Sequence, residues 1–429
     1  MVRAQRGIVA LLSFVLVSVF ACGALAAPLL TTEPERVGMS EQRLDRITAL
    51  SRQYVEEGKL AGVVTLVARR GQIVHFEAVG KSNLETGARM TKDTLFRIYS
   101  MSKPITAVAA MMLYEEGKFQ LTDPVSKFVP ELKDVKVWKD GQEVPVSSQM
   151  TMQQLLSHTA GFSYGFSPDE PVDKRYRDDQ IFVSKDLNEF IGKLAKIPLR
   201  FEPGTQWHYS VAVDVTGAVV ERISGLSFDQ FLEQRLFAPL NMDDTFFDVP
   251  KNKLSRFGTN HRWNAEENKL EVLPVPEYPL WQNTTFFSGG GGLVSTAGDY
   301  ARFAEMLRNG GAVDSVRILS PKTVELMTMN HLPAAVKANA AGETPTVNVG
   351  GNMGTGFGLG FGIVTDVAQT GIIGSEGEYS WGGAAGTIFW VDPVEDLVVV
   401  GMIQLMGSPW PLRSELKVLT NQAITELGD

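Results

Sequence analysis

The sequence contains a serine and a lysine whose spacing could support nucleophilic catalysis. Ser100 and Lys103 form an S-x-x-K pattern, Ser-Met-Ser-Lys. Residues three apart on a helix lie on the same face, so the hydroxyl and the amine can meet. A serine hydroxyl is a weak nucleophile that needs a neighbouring base, and a buried lysine can help to provide one. The pair predicts acyl transfer at Ser100.

Pro104 indicates where this pair lies on its helix. Proline has no backbone N–H and is tolerated in the first turn of a helix. Ser100 is therefore expected at or next to the helix start. Unpaired N–H groups and the positive end of the helix dipole are found there, and both suit a developing oxyanion.

The S-x-x-K pattern is not specific by itself. Ser414 and Lys417 repeat it inside an amphipathic C-terminal helix, where it is expected to form a solvated face. The alternative for Ser100 is an ordinary helix cap followed by an exposed lysine.

A second serine also carries a catalytic pattern. Ser163 lies in a G-x-S-x-G sequence, which marks a nucleophile elbow when a buried strand precedes it and a helix follows. Polar and proline-rich residues flank it here, so a loop is expected. A triad at Ser163 would also need His208, His261 or His331.

Neither a metal nor a nucleotide is expected. The five histidines lack a spacing such as H-E-x-x-H, and the glycine run at 289–292 lacks the Gly-Lys-Ser/Thr of a phosphate loop. We infer no cofactor.

The elements expected to position Ser100 indicate an α/β fold. A helix capped by Ser40 and two strands lie near the start, and strands followed by a helix close the chain. The middle is dominated by loops and short helices, so it is expected to be a helical subdomain inserted between two halves of one α/β layer. Capping boxes are predicted at Thr151 and Ser227. The predicted boundaries are 27–105 and 295–429 for the α/β subdomain and 106–294 for the helical one.

The N-terminus has the features of a secretory signal peptide over residues 1–26. Arg3 and Arg6 precede an uncharged run, and Ala24-Leu25-Ala26 gives a cleavage pattern before Ala27. We expect a secreted or periplasmic protein without stable membrane insertion. The alternatives are an uncleaved anchor helix and lipid attachment at Cys22.

Composition excludes some classes of function. Cys22 is the only cysteine, so a cut before Ala27 leaves neither disulfides nor thiol catalysis. The formal net charge is −9 and no basic run occurs, which argues against nucleic-acid binding.

Four further segments occur in a characteristic order and spacing. They are Leu155-Leu156-Ser157-His158-Thr159-Ala160-Gly161, Trp207-His208-Tyr209-Ser210, Gly289-Gly290-Gly291-Gly292-Leu293-Val294-Ser295-Thr296 and Trp381-Gly382-Gly383-Ala384. With them the chain resembles the serine β-lactamase and penicillin-binding-protein superfamily, specifically its class C-like branch. Within that branch it looks like the family VIII carboxylesterases.

The resemblance implies roles for individual residues. Ser100 matches the acylated serine, Lys103 its helix partner, and Tyr209 the tyrosine that takes the serine proton and later activates water. The amides of Ser100 and Ala384 would form the oxyanion hole. Trp381, Gly382 and Gly383 would border the substrate along a strand edge.

Two departures from the family pattern bear on the substrate. Val211 occupies the position where β-lactamases usually carry asparagine, and Trp381 replaces the usual lysine of the third motif. Loss of polar partners can reduce discrimination by orders of magnitude. We therefore expect a hydrolase of short-chain carboxylic esters with weak β-lactam hydrolysis. The alternatives are a β-lactamase or D-alanyl-D-alanine carboxypeptidase, and a non-catalytic penicillin-binding-like protein; the oligomeric state stays open.

Overall fold

The computed structural model describes residues 29–274, 281–333, 336 and 353–428. The expected signal peptide, its cleavage site and Cys22 lie outside the described residues. Within them, no helix is long and apolar enough to cross a membrane.

The described elements are numbered in chain order. The strands are β1 Gly62–Arg69, β2 Gln72–Gly80, β3 Phe96–Arg97, β4 Lys136–Lys139, β5 Gln142–Pro145, β6 His261–Asn264, β7 Lys269–Val272, β8 Val294–Ser295, β9 Ala312–Val313, β10 Val316–Arg317, β11 Thr355–Phe357, β12 Gly362–Val364, β13 Tyr379–Gly382, β14 Ile388–Asp392, β15 Leu397–Met402 and β16 Leu405–Met406. The α-helices are α1 Glu41–Glu56, α2 Ser102–Glu115, α3 Met152–Leu156, α4 Pro171–Asp178, α5 Leu187–Leu194, α6 Ala212–Ser224, α7 Phe228–Leu232, α8 Ala238–Leu240, α9 Ala297–Arg308, α10 Pro321–Met327, α11 Val367–Thr370 and α12 Leu412–Asn421. Short 3-10 helices cover Pro34–Val37, Tyr99–Met101, Val125–Lys127, Pro130–Leu132, Ile181–Val183 and Lys251–Arg256, and a π-helical turn covers Glu233–Phe237.

A seven-stranded sheet joins the two ends of the chain. Its order is β11-β12-β13-β14-β15-β1-β2, and every neighbouring pair is antiparallel. Alternate residues of β1 face opposite sides, as the pleat requires. Val67 packs in the cluster that holds Leu44 of α1 and Leu416 of α12, whereas Leu66 packs in the larger core with Phe303 of α9. The sheet is therefore covered by helices on both faces.

The helices from the middle of the chain pack around α6. This helix contacts α2, α3, α5 and α7, and its apolar side chains join the main core. The predicted α/β fold, with a large antiparallel sheet flanked by helices, is confirmed.

One of the two predicted capping boxes is confirmed. Thr151 forms its box with Gln154, but the Ser227 side chain makes no cap hydrogen bond; Glu221 Oε1 accepts from the amide of Phe228 at 2.8 Å instead. The sequence from Gly356 to Ile363 has alternating glycines that fit one extended strand, but it forms a hairpin of β11 and β12. Gly360, at φ +94°, takes the chain through the turn, a conformation that favours glycine.

Candidate active site

Ser100 lies in the 3-10 turn that leads directly into α2. Pro104 is the third residue of α2, so the predicted placement of Ser100 at the helix start is confirmed. Tyr99, at φ +45°, bends the chain just before the serine. This turn presents the Ser100 hydroxyl to residues from three other parts of the chain.

Lys103 is buried, with 1% of its surface exposed, so it is not the solvated lysine of an ordinary helix cap. Its Nζ donates to the Gly290 carbonyl at 2.6 Å, to Tyr164 Oη at 2.8 Å and to Ser100 Oγ at 3.3 Å. An ammonium group has three N–H donors. The three acceptors therefore satisfy a charged Lys103.

Tyr209 reaches Ser100 from the loop that precedes α6. Its hydroxyl donates to Ser100 Oγ at 2.5 Å, and Lys103 Nζ lies 4.5 Å from the centre of its ring. The serine, lysine and tyrosine that the resemblance brought together are thus in mutual contact, although Ser100 and Tyr209 are 109 residues apart in sequence.

His158 holds the loop that carries Tyr209. Its carbonyl accepts from the His208 amide at 3.0 Å, and its Nδ1 accepts from the Ser210 amide at 3.2 Å. Because Nδ1 is an acceptor, the neutral ring carries its proton on Nε2. Burial lowers the pKa of His158 well below its usual value, and the charge of Lys103 acts in the same direction. The carbonyl and the neutral imidazole of His158 together fix the backbone on the two sides of Tyr209.

The Trp381–Ala384 segment comprises the end of β13 and the start of the turn after it, and it lies against the turn that carries Ser100. A Cβ on Gly383 would collide with the Ile98 carbonyl and with the Thr387 hydroxyl, so only glycine permits this approach. The Trp381 ring lies 5.5 Å from that of Tyr209, and Ala384 is exposed at the end of the strand. The predicted strand edge and the predicted nucleophile are therefore neighbours.

Val211 is fully buried in the main core, and its amide donates to the Ser163 carbonyl at 3.1 Å. Val211 is the N-cap residue of α6, and its side chain packs in the core rather than at the protein surface. The substrate-binding role expected for Val211 therefore finds no support in its position.

Sequence reasoning missed Tyr164 and Asp214. Tyr164 accepts a hydrogen bond from Lys103, and Asp214 is a buried carboxylate in the first turn of α6. Desolvation raises the pKa of Asp214, opposed chiefly by the charge of Lys103. One signal was available, since Asp214 is a lone acid in the apolar run Val211-Ala212-Val213-Asp214-Val215.

Arg413, from α12, supplies a cation beside the third motif that sequence reasoning also missed. Its guanidinium donates to the carbonyls of Gly383 and Thr387. A Cβ on Gly382 would stand 2.9 Å from its central carbon. Desolvation lowers the pKa of Arg413, while the Tyr209 hydroxyl opposes that shift. The site therefore has a positive group near Trp381 although no lysine occupies that position.

The G-x-S-x-G serine lies in a loop, as expected. Ser163 is fully buried, and its hydroxyl contacts Asp173 and lies 3.1 Å from His208 Nε2. A triad needs the carboxylate on the far nitrogen of the histidine. Here Asp173 binds the serine itself, so the cluster ties two loops together and exposes no nucleophile.

Among the residues that the structure covers, no group of three or more His, Cys, Asp or Glu side chains could hold a metal ion.

Comparison with known proteins agrees with this geometry. The family model for Beta-lactamase matches residues 47–422. An uncharacterized protein of Mycobacterium tuberculosis is 36% identical over 369 residues, which cover 84% of this chain and 90% of that protein. Esterase EstB of Burkholderia gladioli is 32% identical over 374 residues, 83% of this chain and 88% of the esterase. The solved structure of EstCE1, a hydrolase with promiscuous acyltransferase activity, is 27% identical and superposes with a TM-score of 0.74 over 90% of this chain and 99% of that one. The chain therefore belongs to the Beta-lactamase family of serine hydrolases and has esterases among its relatives.

Proposed function

We propose that the protein is a serine carboxylesterase that cleaves short-chain esters through an acyl-enzyme at Ser100. One observation carries the proposal: Ser100 Oγ is within hydrogen-bond reach of both Tyr209, at 2.5 Å, and Lys103, at 3.3 Å. A hydroxyl is activated as a nucleophile when it contacts a base and a further group positions that base.

The proposed reaction has two halves. Deprotonated Tyr209 takes the Ser100 proton while Oγ attacks the ester carbonyl carbon, and the amides of Ser100 and Ala384 receive the oxyanion. The proton then passes to the departing alkoxide, which leaves as the alcohol. A water molecule next gives a proton to Tyr209 and attacks the acyl carbon, so the carboxylic acid is released and the serine is restored. Lys103, as an ammonium ion, favours the deprotonated form of Tyr209.

The surroundings of Tyr209 and Trp381 support a neutral, apolar substrate. Both side chains pack against a buried cluster that contains Trp207, Phe357 and Leu332. Apolar surroundings of this kind support a preference for hydrophobic acyl groups. The name of Esterase EstB supports the same class of reaction.

Arg413 favours a second candidate, the hydrolysis of substrates that carry a carboxylate, as β-lactams and D-alanyl-D-alanine peptides do. Its guanidinium lies beside Gly382 and Gly383, where the third motif borders the substrate. Guanidinium groups bind carboxylates in bidentate pairs. However, Arg413 already donates to two backbone carbonyls, which reduces its capacity for a ligand.

A substrate panel on matched serine variants tests both candidates. Ser100→Ala should abolish hydrolysis of p-nitrophenyl butyrate, whereas Ser414→Ala, in the exposed second S-x-x-K, should leave it unchanged. Retained activity in Ser100→Ala would refute the nucleophile. Nitrocefin turnover equal to the ester rate, and lost in Arg413→Met, would favour the second candidate.

A further inference from the structure

Asp214 lies next to the reacting groups but has no part in the proposed reaction. It is fully buried in the first turn of α6, five residues after Tyr209. Its Oδ1 accepts from the Gly290 amide at 3.0 Å and from the Ser288 hydroxyl. Its Oδ2 has no hydrogen-bond partner among the described residues. A buried carboxylate that is only half satisfied is costly, which calls for a compensating charge.

Gly290 connects this carboxylate to Lys103. Its N–H donates to Asp214, and its carbonyl accepts from Lys103 Nζ at 2.6 Å. The N–H and the carbonyl belong to the two successive peptide units that meet at Gly290, so the negative and positive groups bind opposite polar groups of the same residue. The side chain of Thr106 on α2 donates to the Gly289 carbonyl at 2.8 Å and holds the same loop.

Gly290 is required for this arrangement. A Cβ at this position would collide with Asp214 Oδ2 and would stand 2.7 Å from Tyr164 Oη. Asp214 Oδ2 and Tyr164 Oη thus face the same small space beside Gly290. Within the glycine run at 289–292, which lacks the residues of a phosphate loop, Gly290 is needed because two buried polar groups lie where a side chain would begin.

We propose that Asp214 is a positioning residue that keeps Lys103 charged and directed at Ser100. Its carboxylate balances the buried ammonium across Gly290 and, through the N–H of that residue, holds in place the carbonyl that Lys103 needs as its third acceptor. Lys103 then acts as a fixed cation and leaves the proton transfer to Tyr209. This inference rests on the proposed esterase function, in which Ser100 is acylated.

The titratable groups that face Lys103 are the phenols of Tyr164 and Tyr209, the imidazole of His158 and the carboxylate of Asp214. His158 is buried in its neutral form, and the charge of Asp214 helps to keep Tyr164 protonated by raising its pKa. Besides the deprotonated Tyr209 of the proposed reaction, Asp214 is therefore the member of this group that supplies negative charge to the lysine.

Asp214→Asn removes the charge of the side chain at position 214 while nearly preserving its shape. Asparagine keeps an oxygen that can accept from Gly290 and Ser288, but it removes the negative charge. Lys103 should then lose its proton at lower pH. In the pH profile of kcat/KM for p-nitrophenyl butyrate, the alkaline limb should therefore shift to lower pH by about one unit. An alkaline limb at the wild-type pH in a folded Asp214→Asn protein would overturn the proposal.

Asp392→Asn is the matched control. Asp392 is also fully buried, its Oδ1 also accepts two hydrogen bonds, here both from backbone amides, and its Oδ2 is also unpartnered among the described residues. It lies at the end of β14, in the turn to β15, and makes no described contact with the reacting groups. Asp392→Asn should lower the melting temperature without moving the pH limbs, and a shift equal to that of Asp214→Asn would also overturn the proposal.

Ser288→Ala keeps the proposal testable if Asp214→Asn does not fold. It removes one of the two donors that hold Asp214 Oδ1, so the carboxylate should act less strongly on Lys103 and the alkaline limb should move to lower pH, as in Asp214→Asn. An unmoved alkaline limb would count against the proposal. The pH profiles can also be measured from the rate at which a fluorophosphonate labels Ser100, a reaction in which Oγ displaces fluoride from phosphorus. Wild-type protein that is never labelled contradicts the proposed function, whereas labelling with unshifted limbs contradicts only the role of Asp214.

Discussion

Tyr164→Phe is expected to lower both stability and activity, because it removes one of the three acceptors of a buried ammonium. The Tyr164 hydroxyl lies 2.8 Å from Lys103 Nζ. The ring itself should stay in place, since it stacks on Phe166 at 4.9 Å and on Phe182 at 5.8 Å between ring centres. Phenylalanine preserves both contacts, so the change isolates the hydrogen bond.

The magnitude follows from the burial of Lys103, which is 1% exposed and therefore has little access to water as a substitute partner. A hydrogen bond to a charged group contributes about 1.5 to 3 kcal/mol. The free energy of unfolding should fall by about that amount. If the same loss reaches the transition state, kcat/KM should fall roughly 10- to 100-fold, since 1.4 kcal/mol corresponds to a factor of ten.

Urea unfolding and steady-state hydrolysis of p-nitrophenyl butyrate measure the two losses. Tyr54→Phe is the control, because the Tyr54 hydroxyl also bonds a charged group, Glu415 Oε2 at 2.6 Å, and belongs to the cluster beneath α1 and α12. It should lower stability and leave kcat/KM unchanged. Tyr164→Phe protein with wild-type kcat/KM would refute the reasoning that Lys103 must be fully satisfied to support Ser100.

Three further predictions follow from the same geometry. Gly383→Ala places a methyl group against the Ile98 carbonyl, so β13 must move from the Ser100 turn and kcat/KM should fall at least about tenfold; wild-type kinetics would contradict this close approach. Ser163→Ala should lower the melting temperature, because buried Asp173 loses a hydrogen-bond donor. A fluorophosphonate should still label Ser100 in this variant, and loss of labelling would support a catalytic triad at Ser163. Burial lowers the pKa of His75 and of His208 from 6.5 to about 4, so between these pH values the unfolded chain binds more protons than the folded one. The free energy of unfolding should therefore fall as the pH drops from 6.5 to 4, which melting temperatures measured across this range would show. His75→Gln should reduce the dependence of the melting temperature on pH, and an unchanged dependence would exclude His75 as a cause of it.

Local patterns were sufficient to predict much of the fold. Ser40 caps its helix and Thr151 forms its capping box as expected, and Gly225 ends α6 in a left-handed conformation that favours glycine. These features depend on residues that are close in sequence, so they can be predicted from the sequence alone. The hairpin of β11 and β12 cannot, because alternating glycines fit one extended strand equally well and only the pairing decides where the chain turns.

The sequence by itself determined the position of Ser100 and Lys103 at a helix start, through their spacing and Pro104. The resemblance added Tyr209. Neither the sequence patterns nor the resemblance predicted that Tyr164, Asp214 and Arg413 lie at the site, because their contacts there span from 30 to 76 residues of chain. Such contacts are made by packing of distant segments and leave no periodic signal in the sequence. The tertiary structure thus decided which buried groups surround the lysine, and it placed a cation beside Trp381 where the sequence alone indicated none.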